Sequence, residues 1–251
     1  WAPGDWLPEL RKLCSEIRGP VRSGLRAVAH SGGGRDRDSV SRIVGHGAGD
    51  TTFAIDEVAE RAVDGWFRRV AAVRPLSLLT EDAGWRHLGP GAAPGDISEL
   101  SGFDHGGPRI ALDPIDGTRN IMHDLRSAWV VVSCAGPGRG EPRFADLVIG
   151  INSELPDTRT EVARELSAIR GEGAHLRELV LPDGAVRFEA ACVVDGDDRL
   201  DRGYFPFFHY HASTRPEVQA LARDVVERVA KAHEIDTFTI YDDQYISSGG
   251  Q

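Results

Sequence analysis

The sequence predicts a layered α+β sandwich, and three observations predict it. Short apolar runs of strand length recur through the middle of the chain, from Leu76–Thr80 to Ala185–Val194. Stretches with apolar residues at i, i+3 and i+4 flank them, which is the period of a helix with one buried face. Helices and strands do not alternate in the strict βαβ rhythm of a doubly wound parallel sheet. At 251 residues the chain is long enough to bury a sizeable core, as one large domain or as two halves sharing a cleft.

Taken in order, residues 5–30 read as helix, with Leu7, Leu10, Leu13 and Ile17 at helical spacing. A break is expected at Gly19-Pro20, where proline removes a backbone donor. The segment "HSGGGRDRDSVSRIVGHGAGD", His30 to Asp50, is rich in glycine and charge and reads as loop. A second helix is outlined by Ile55, Val58, Ala59, Ala62, Val63, Trp66, Phe67 and Val70, with Asp50, Thr51 or Thr52 as its cap. "LSLLT" (Leu76–Thr80) and "RIALD" (Arg109–Asp113) read as short buried strands that end in a carboxylate or just before one. Between them "GPGAAPGDISELSGFDHGGP" is a polar, glycine-rich excursion. "AWVVVSCA", "FADLVIGI", "VARELSAIRG" and "AVRFEAACVV" add strands, and Pro216–Ala232 adds an amphipathic helix. No internal repeat and no clean linker divides the chain.

Composition excludes several function classes. A net charge of −10 repels nucleic acid and anionic membrane surfaces, and no block of Lys or Arg offsets it. No apolar run approaches the ~20 residues of a membrane helix. The first residues lack a basic stretch followed by an apolar one, so no secretory signal is expected, and a start without Met suggests a trimmed terminus. Cys14, Cys134 and Cys192 are scattered and odd in number, which argues against a disulfide framework or a CxxC zinc site and for a cytoplasmic location. G-x-S-x-G, Walker A and post-strand G-x-G-x-x-G patterns are absent, which disfavours serine hydrolase and nucleotide-driven chemistry. His209 and His211 form an H-x-H among aromatics in "GYFPFFHYHAST". Both project from one face of a strand, but no third ligand at diagnostic spacing accompanies them, so packing is the preferred reading. The other histidines show no nucleophile-base pattern with Ser or Cys.

The chemistry concentrates in "IALDPIDGTRN", Ile110 to Asn120. Two carboxylates on one turn repel each other unless a cation lies between them. Mg²⁺ takes oxygen ligands, commonly one or two carboxylates completed by water and substrate phosphate oxygens. Asp113, Asp116 and the carbonyl of Ile115 therefore read as a Mg²⁺ cradle, in a turn stiffened by Pro114. Gly117 and Thr118 open a short helix whose free N–H groups suit a phosphate. The same string also reads as a helix N-cap in which Asp116 satisfies backbone donors and Asp113 is a solvated strand end. Glu81-Asp82 in "LLTEDAG" forms a second acidic pair after a strand. If the two strands are neighbours, both carboxylate sets emerge at one sheet edge.

"LDPIDGTRN" resembles the D-P-[IL]-D-G-T-x-N signature of the inositol monophosphatase and fructose-1,6-bisphosphatase superfamily of metal-dependent, lithium-sensitive phosphatases. "GDTTFAIDEVAE" resembles that family's D-x-x-T-x-x-D segment, "LLTEDAG" its Glu-Glu pair, "AIRGEGAHL" its A-x-x-G-x-G-A turn, and "VIGINSEL", loosely, the G-V-V-x-x-P-x-x-x-E strand that precedes that turn. The matches span about residues 45 to 177. The resemblance implies an α/β/α/β/α sandwich with a metal-binding half over residues 1–150 and a substrate-pocket half over 151–251. It implies that Glu81 bridges two or more Mg²⁺ ions, that Asp113 and the Ile115 carbonyl ligate one, and that Asp116 reaches the second. Thr118, paired with Asp56, orients the attacking water, and Gly117, Thr118 and Asp116 meet the substrate phosphate. Asp82 falls where many relatives have Glu, and Asp50 is the weakest correspondence.

Relatives complete the second metal site with a late Asp that follows a Gly-Ser turn. Here the chain stops at "YDDQYISSGGQ", so the expectation is that the last tens of residues are lacking, with Asp242 and Asp243 as less suitable substitutes. The aromatics of "GYFPFFHYHAST" are candidates to line the substrate pocket, and His211 and Arg215 are candidate contacts to its phosphate or hydroxyl groups. The reading is a Mg²⁺-dependent phosphomonoesterase of a small sugar or polyol phosphate such as an inositol monophosphate. A small phosphorylated metabolite is then the partner, with no nucleic acid and no membrane, and the resemblance makes a homodimer the default. The alternative is a catalytically silent member that binds a phosphorylated ligand or a protein partner.

Overall fold

The structure is a computed structural model and describes residues 1–30, 38–46, 51–80, 83–193, 205–206, 213–235 and 240–241. The first helix, α1 (Pro3–His30), exists because its apolar stripe is swallowed whole. Trp6, Leu10, Leu13, Cys14, Ile17, Val21, Leu25 and Val28 are all buried. The break expected at Gly19-Pro20 does not occur: the helix runs through, with both residues exposed. An interior proline costs ~3 kcal/mol, while burying an aliphatic side chain returns about 1.5–3 kcal/mol. With Ile17 and Val21 buried on either side, packing outweighs the lost donor.

The region read as loop contains α2 (Asp38–Ser41) and β1 (Ile43–His46). A short β2 (Thr51–Phe53) pairs antiparallel with β1 and leads directly into α3 (Ala54–Ala71). Ile55, Ala59, Val63, Trp66, Phe67 and Val70 form the buried face of α3. Its N-cap is Phe53 rather than Asp50, Thr51 or Thr52. The cap works in reverse, because the Asp56 carboxylate Oδ2 accepts a hydrogen bond from the Phe53 backbone N–H at 2.8 Å.

The strands follow as β3 (Leu76–Thr80), β4 (Gly84–Pro90), β5 (Ile97–Glu99) and β6 (Arg109–Asp116). After the short α4 (Thr118–Met122) come β7 (Ala128–Ala135), β8 (Leu147–Leu155), β9 (Val162–Ile169), β10 (Gly173–Val180) and β11 (Ala185–Cys192). Phe144–Asp146, read as the start of a strand, is a 3₁₀ turn before β8. These nine strands make one sheet in the order β11-β10-β9-β8-β7-β6-β3-β4-β5. Every described pairing in it is antiparallel except β3 with β6.

Helices α1 and α3 pack together against one face of the sheet. On β7 that face carries Ala128, Val130, Val132 and Cys134, all fully buried, while Trp129, Val131 and Ser133 on the opposite face are half-buried. A polar network fastens α1 across β8–β10. Arg18 donates to the Glu154 carbonyl at 2.9 Å and to the Ser153 hydroxyl, and Ser153 donates to Glu165 Oε2 at 3.1 Å. Arg177 donates to Glu165 Oε1 at 3.0 Å, and Arg11 to Ser167 Oγ at 2.9 Å. Glu165 is 1% exposed, so its charge is tolerable only because arginines and a hydroxyl surround it. Burial pushes the neighbouring Cys14 thiol up to about 12, which leaves it an inert apolar filler.

Residues 1–192 form one compact unit and Val193–Gly249 a second. Position 150, where the sequence reading divides the chain, lies inside β8. Of the second unit the structure describes α5 (Arg215–His233), on which Ala222 is the one buried residue, and the two-residue strands β12 (Phe205–Pro206) and β13 (Ile240–Tyr241), paired in parallel.

Candidate active site

An ordinary strand turns residues i and i+3 to opposite faces. Asp113 and Asp116 escape this because β6 bulges between them. Asp113 pairs with Val131 and Asp116 with Trp129, so three steps along β6 match two along β7. Val131 and Trp129, two apart, share a face, and the bulge therefore rephases both aspartates onto that same face. Pro114 sits inside the bulge, where a residue without a donor breaks no ladder bond. Ile115 anchors the bulge in the core at 5% exposure, while Asp113 and Asp116 stay half-buried.

The turn is also knitted internally. The Ile115 N–H donates to Asp113 Oδ1 at 3.0 Å, and the Ile115 carbonyl accepts from the Thr118 hydroxyl at 2.9 Å. Gly117 follows with φ of 101°, a left-handed conformation that L side chains avoid, and serves as N-cap of α4. At five residues α4 is too short for a useful macrodipole. What the turn offers an anion is its leading N–H groups, which have no intrahelical acceptor.

Thr118 joins this turn to α3. Its Oγ1 also lies 3.1 Å from Asp56 Oδ1, so one hydroxyl proton faces two acceptors, the Ile115 carbonyl and the Asp56 carboxylate. The other oxygen of Asp56 is pinned by the Phe53 N–H. Asp56, Ile115, Gly117 and Thr118 are thus brought together, with Asp113 linked through the Ile115 N–H.

The end of β3 reaches the same place. Thr80, its last residue, pairs in parallel with Leu112, the residue before Asp113. Glu81 and Asp82, which follow Thr80, lie outside the described residues, as do Asp50, His209, His211, Asp242 and Asp243. Arg215 opens α5 in the second unit. Among the described residues no group of three or more His, Cys, Asp or Glu side chains is placed to hold a metal. The donors that are described, two carboxylates and a carbonyl, are all hard oxygens, a set that suits a hard divalent cation.

Sequence reasoning missed a second polar cluster, drawn from β3, β4 and the segment that precedes β6. The Ser77 hydroxyl lies 2.7 Å from His87 Nδ1 and 2.7 Å from His105 Nε2. These residues are ten and 28 positions from Ser77, and nothing in their spacing signals the contact. Ser77 is fully buried, so it is no nucleophile for a substrate.

No family model and no curated protein matches the chain. Solved structures do. The holo form of fructose-1,6-bisphosphatase from Leishmania major superposes with a TM-score of 0.58 at 13% identity, over 98% of this chain and 70% of that one. The extragenic suppressor protein suhB from Bartonella henselae gives 0.52 at 17% identity, over 87% of this chain and 67% of that one. Inositol monophosphatase II from Staphylococcus aureus gives 0.52 at 14% identity, over 89% and 62%. The chain thus has the α/β sandwich fold that these proteins share, and it spans about two thirds of their length. Among the described residues no helix is long and apolar enough to cross a membrane.

Proposed function

We propose that this chain is a Mg²⁺-dependent phosphomonoesterase acting on a small sugar or polyol phosphate, of which an inositol monophosphate is the type. The single observation that carries the reading is the Thr118–Asp56 hydrogen bond at 3.1 Å, set one turn from two carboxylates that a bulge has rotated to one face. A structural cap has no use for that combination. The fold, shared with a fructose-1,6-bisphosphatase and an inositol monophosphatase, adds support.

In this reading Asp113, Asp116, the Ile115 carbonyl and Glu81 hold the metal ions. When bound, such ions lower the pKa of water and stabilise the charge that develops on phosphoryl oxygens. The protein's own groups do the rest. An ionised Asp56 only accepts hydrogen bonds, so a Thr118 hydroxyl turned from the Ile115 carbonyl points its proton at Asp56 Oδ1. Its lone pairs then accept a proton from water, and the Thr118–Asp56 pair aims that water oxygen at phosphorus. As the oxygen bonds to phosphorus, the ester P–O bond breaks; the water proton passes through Thr118 to Asp56, and the departing alkoxide takes a proton from solvent water to leave as the alcohol. The Phe53 N–H holds Asp56 still while this happens. The N–H groups of Gly117 and Thr118 donate to the phosphate oxygens, which keeps the reacting group fixed at low entropic cost.

The test is phosphate release from a panel of sugar, polyol and nucleotide monophosphates at millimolar Mg²⁺ and after chelation. Release that requires Mg²⁺ and favours polyol phosphates supports the proposal. Binding of the same compounds with no release, on the complete gene product, would replace it with the silent-binder reading.

A further inference from the structure

The Ser77 cluster solves a proton-counting problem, and its solution has a single form. Ser77 on β3 and His87 on β4 are cross-strand partners, so their side chains share a face of the sheet. His105 belongs to the segment 100–108 that connects β5 to β6, and it closes on Ser77 from above the same face. Its Nδ1 accepts a hydrogen bond from the Gly107 N–H at 3.1 Å. A neutral imidazole has one N–H and one acceptor nitrogen, so the His105 proton sits on Nε2 and is donated to Ser77 Oγ. Ser77 then gives its own proton to His87 Nδ1, which places the His87 proton on Nε2. The tautomers are assigned by this network. Each of the three hydrogen bonds in the chain has one donor and one acceptor only while both rings are neutral.

An added proton breaks the chain at a defined atom. On His105 Nδ1 it confronts the Gly107 N–H with a second donor. Gly107 has little room to retreat, because a Cβ built on it would lie 1.8 Å from the Pro75 carbonyl oxygen. On His87 Nδ1 an added proton leaves Ser77 receiving two donors, with its own proton unaccepted. Unmatched polar groups at a buried position are costly.

The surroundings reinforce the neutral state. Phe103 stands edge-on to both His87, at 4.5 Å between centroids, and Trp85, at 5.1 Å, so the ring nitrogens sit beside apolar surface. Among charged groups, Asp104 is next to His105 but is exposed and paired with Arg139 at 3.6 Å. Arg109 on β6 pairs in register with Ser77, yet sends its guanidinium to the carbonyls of Gly136 and Gly140. On β5, Glu99 is in register with Leu88, one residue from His87. Burial depresses the pKa of His87, and burial followed by the charge of His87 depresses that of His105 against the opposing pulls of a backbone hydrogen bond and of Asp104. Backbone bonds fix both ends of the segment, Leu100 N–H to the His87 carbonyl at 3.0 Å and Ser77 N–H to the Pro108 carbonyl at 2.9 Å. Between these ends the segment is held by the imidazole chain, by the Phe103 ring contacts and by the exposed Asp104–Arg139 pair.

We propose that Ser77, His87 and His105 form a proton-operated latch, which holds residues 101–107 on the sheet while both imidazoles are neutral and releases them when either takes up a proton. The sign follows from the depressed native values. The unfolded chain binds protons first, so the latch contributes fully above the unfolded histidine pKa of about 6.5. Its contribution is lost as pH falls through the lower native values.

The test is NMR on the full chain labelled with ¹⁵N, titrated from pH 7.5 to 5. Imidazole shifts report tautomer and pKa, and amide exchange at Gly107 is corrected for the intrinsic rate. Expected are Nε2–H tautomers for both rings, native pKa values below that of an unfolded histidine, and a fall of tenfold or more in Gly107 protection across the titration. With His87 and His105 both replaced by Asn (His87→Asn with His105→Asn), an acceptor oxygen remains where each Nδ1 stands and neither position titrates, so Gly107 protection should stay flat with pH. Native pKa values at or above 6.5, a different tautomer, or the same protection step in that double variant would each overturn the latch. The wild-type titration decides the matter alone should the variant fail to fold.

Discussion

The parallel pair of β3 and β6 is polar at both ends of one sheet face, and the two ends are built on opposite principles. At the end where Ser77 is in register with Arg109, one hydroxyl, two imidazoles and a backbone N–H form a chain of three hydrogen bonds that is matched in the neutral state. At the end where Thr80 is in register with Leu112, the chain gathers carboxylates and a carbonyl around a single hydroxyl proton that two acceptors share. A cluster that satisfies itself holds structure. A cluster weighted toward oxygen acceptors is suited to holding something the chain does not carry.

The contrast breaks most sharply at Asp113. Asp113→Asn removes a charge from the acceptor-rich end but retains an oxygen that can accept from the Ile115 N–H, so the fold should persist. Mg²⁺-dependent phosphate release should fall by about 10³ or more, equivalent to roughly 4 kcal/mol of transition-state stabilisation. The rise in Tm that millimolar Mg²⁺ should give the wild type should vanish in the same variant. A variant with normal turnover, or one still stabilised by Mg²⁺, would remove Asp113 from the site.

Thr118→Ala is the next largest. It deletes the group that orients water while leaving every proposed metal ligand in place, so kcat should drop by ~10², the low end of general acid–base contributions, with little change in KM. The stabilisation by Mg²⁺ should survive, which separates this variant from Asp113→Asn. A rise in KM with kcat unchanged would make Thr118 a binding residue and leave Asp56 without its proposed role.

How much of this was legible in the sequence depends on the range of the interactions. The helical stripe of α3 and the apolar runs of β3, β6 and β7 are local patterns, legible in a window of a few residues. The string from Asp113 to Thr118 is equally local: the proline, the glycine and the two acids each specify one feature of a bulged turn. The break expected at Pro20 was a local rule overruled by packing of Ile17 and Val21, which no window around the proline reveals. Asp56 as the reverse cap of α3 was hidden because Phe53, a poor capping residue, occupies the capping position. The Ser77 cluster joins three segments through side chains that look ordinary in isolation, and Glu165 reads as a solvated strand residue until three arginines from other elements are seen around it.

The smallest effect sharpens the comparison from the complete end. Ser77→Ala removes the hydroxyl that accepts from His105 and donates to His87, which leaves the Nε2 proton of one ring and the Nδ1 lone pair of the other unmatched. Both rings are half-exposed, so water replaces part of what is lost, and the cost should be about 1 kcal/mol of stability at pH 7.5, read from denaturant unfolding. As pH falls through the depressed native values of His87 and His105 the wild type loses the same contribution by protonation, so the difference between the two proteins should shrink. Phosphate release should match the wild type at pH 7.5, because Ser77 touches neither Thr118 nor the bulge. Lost turnover with unchanged stability would mean that the two ends are one functional unit, and the division between them would have to be withdrawn.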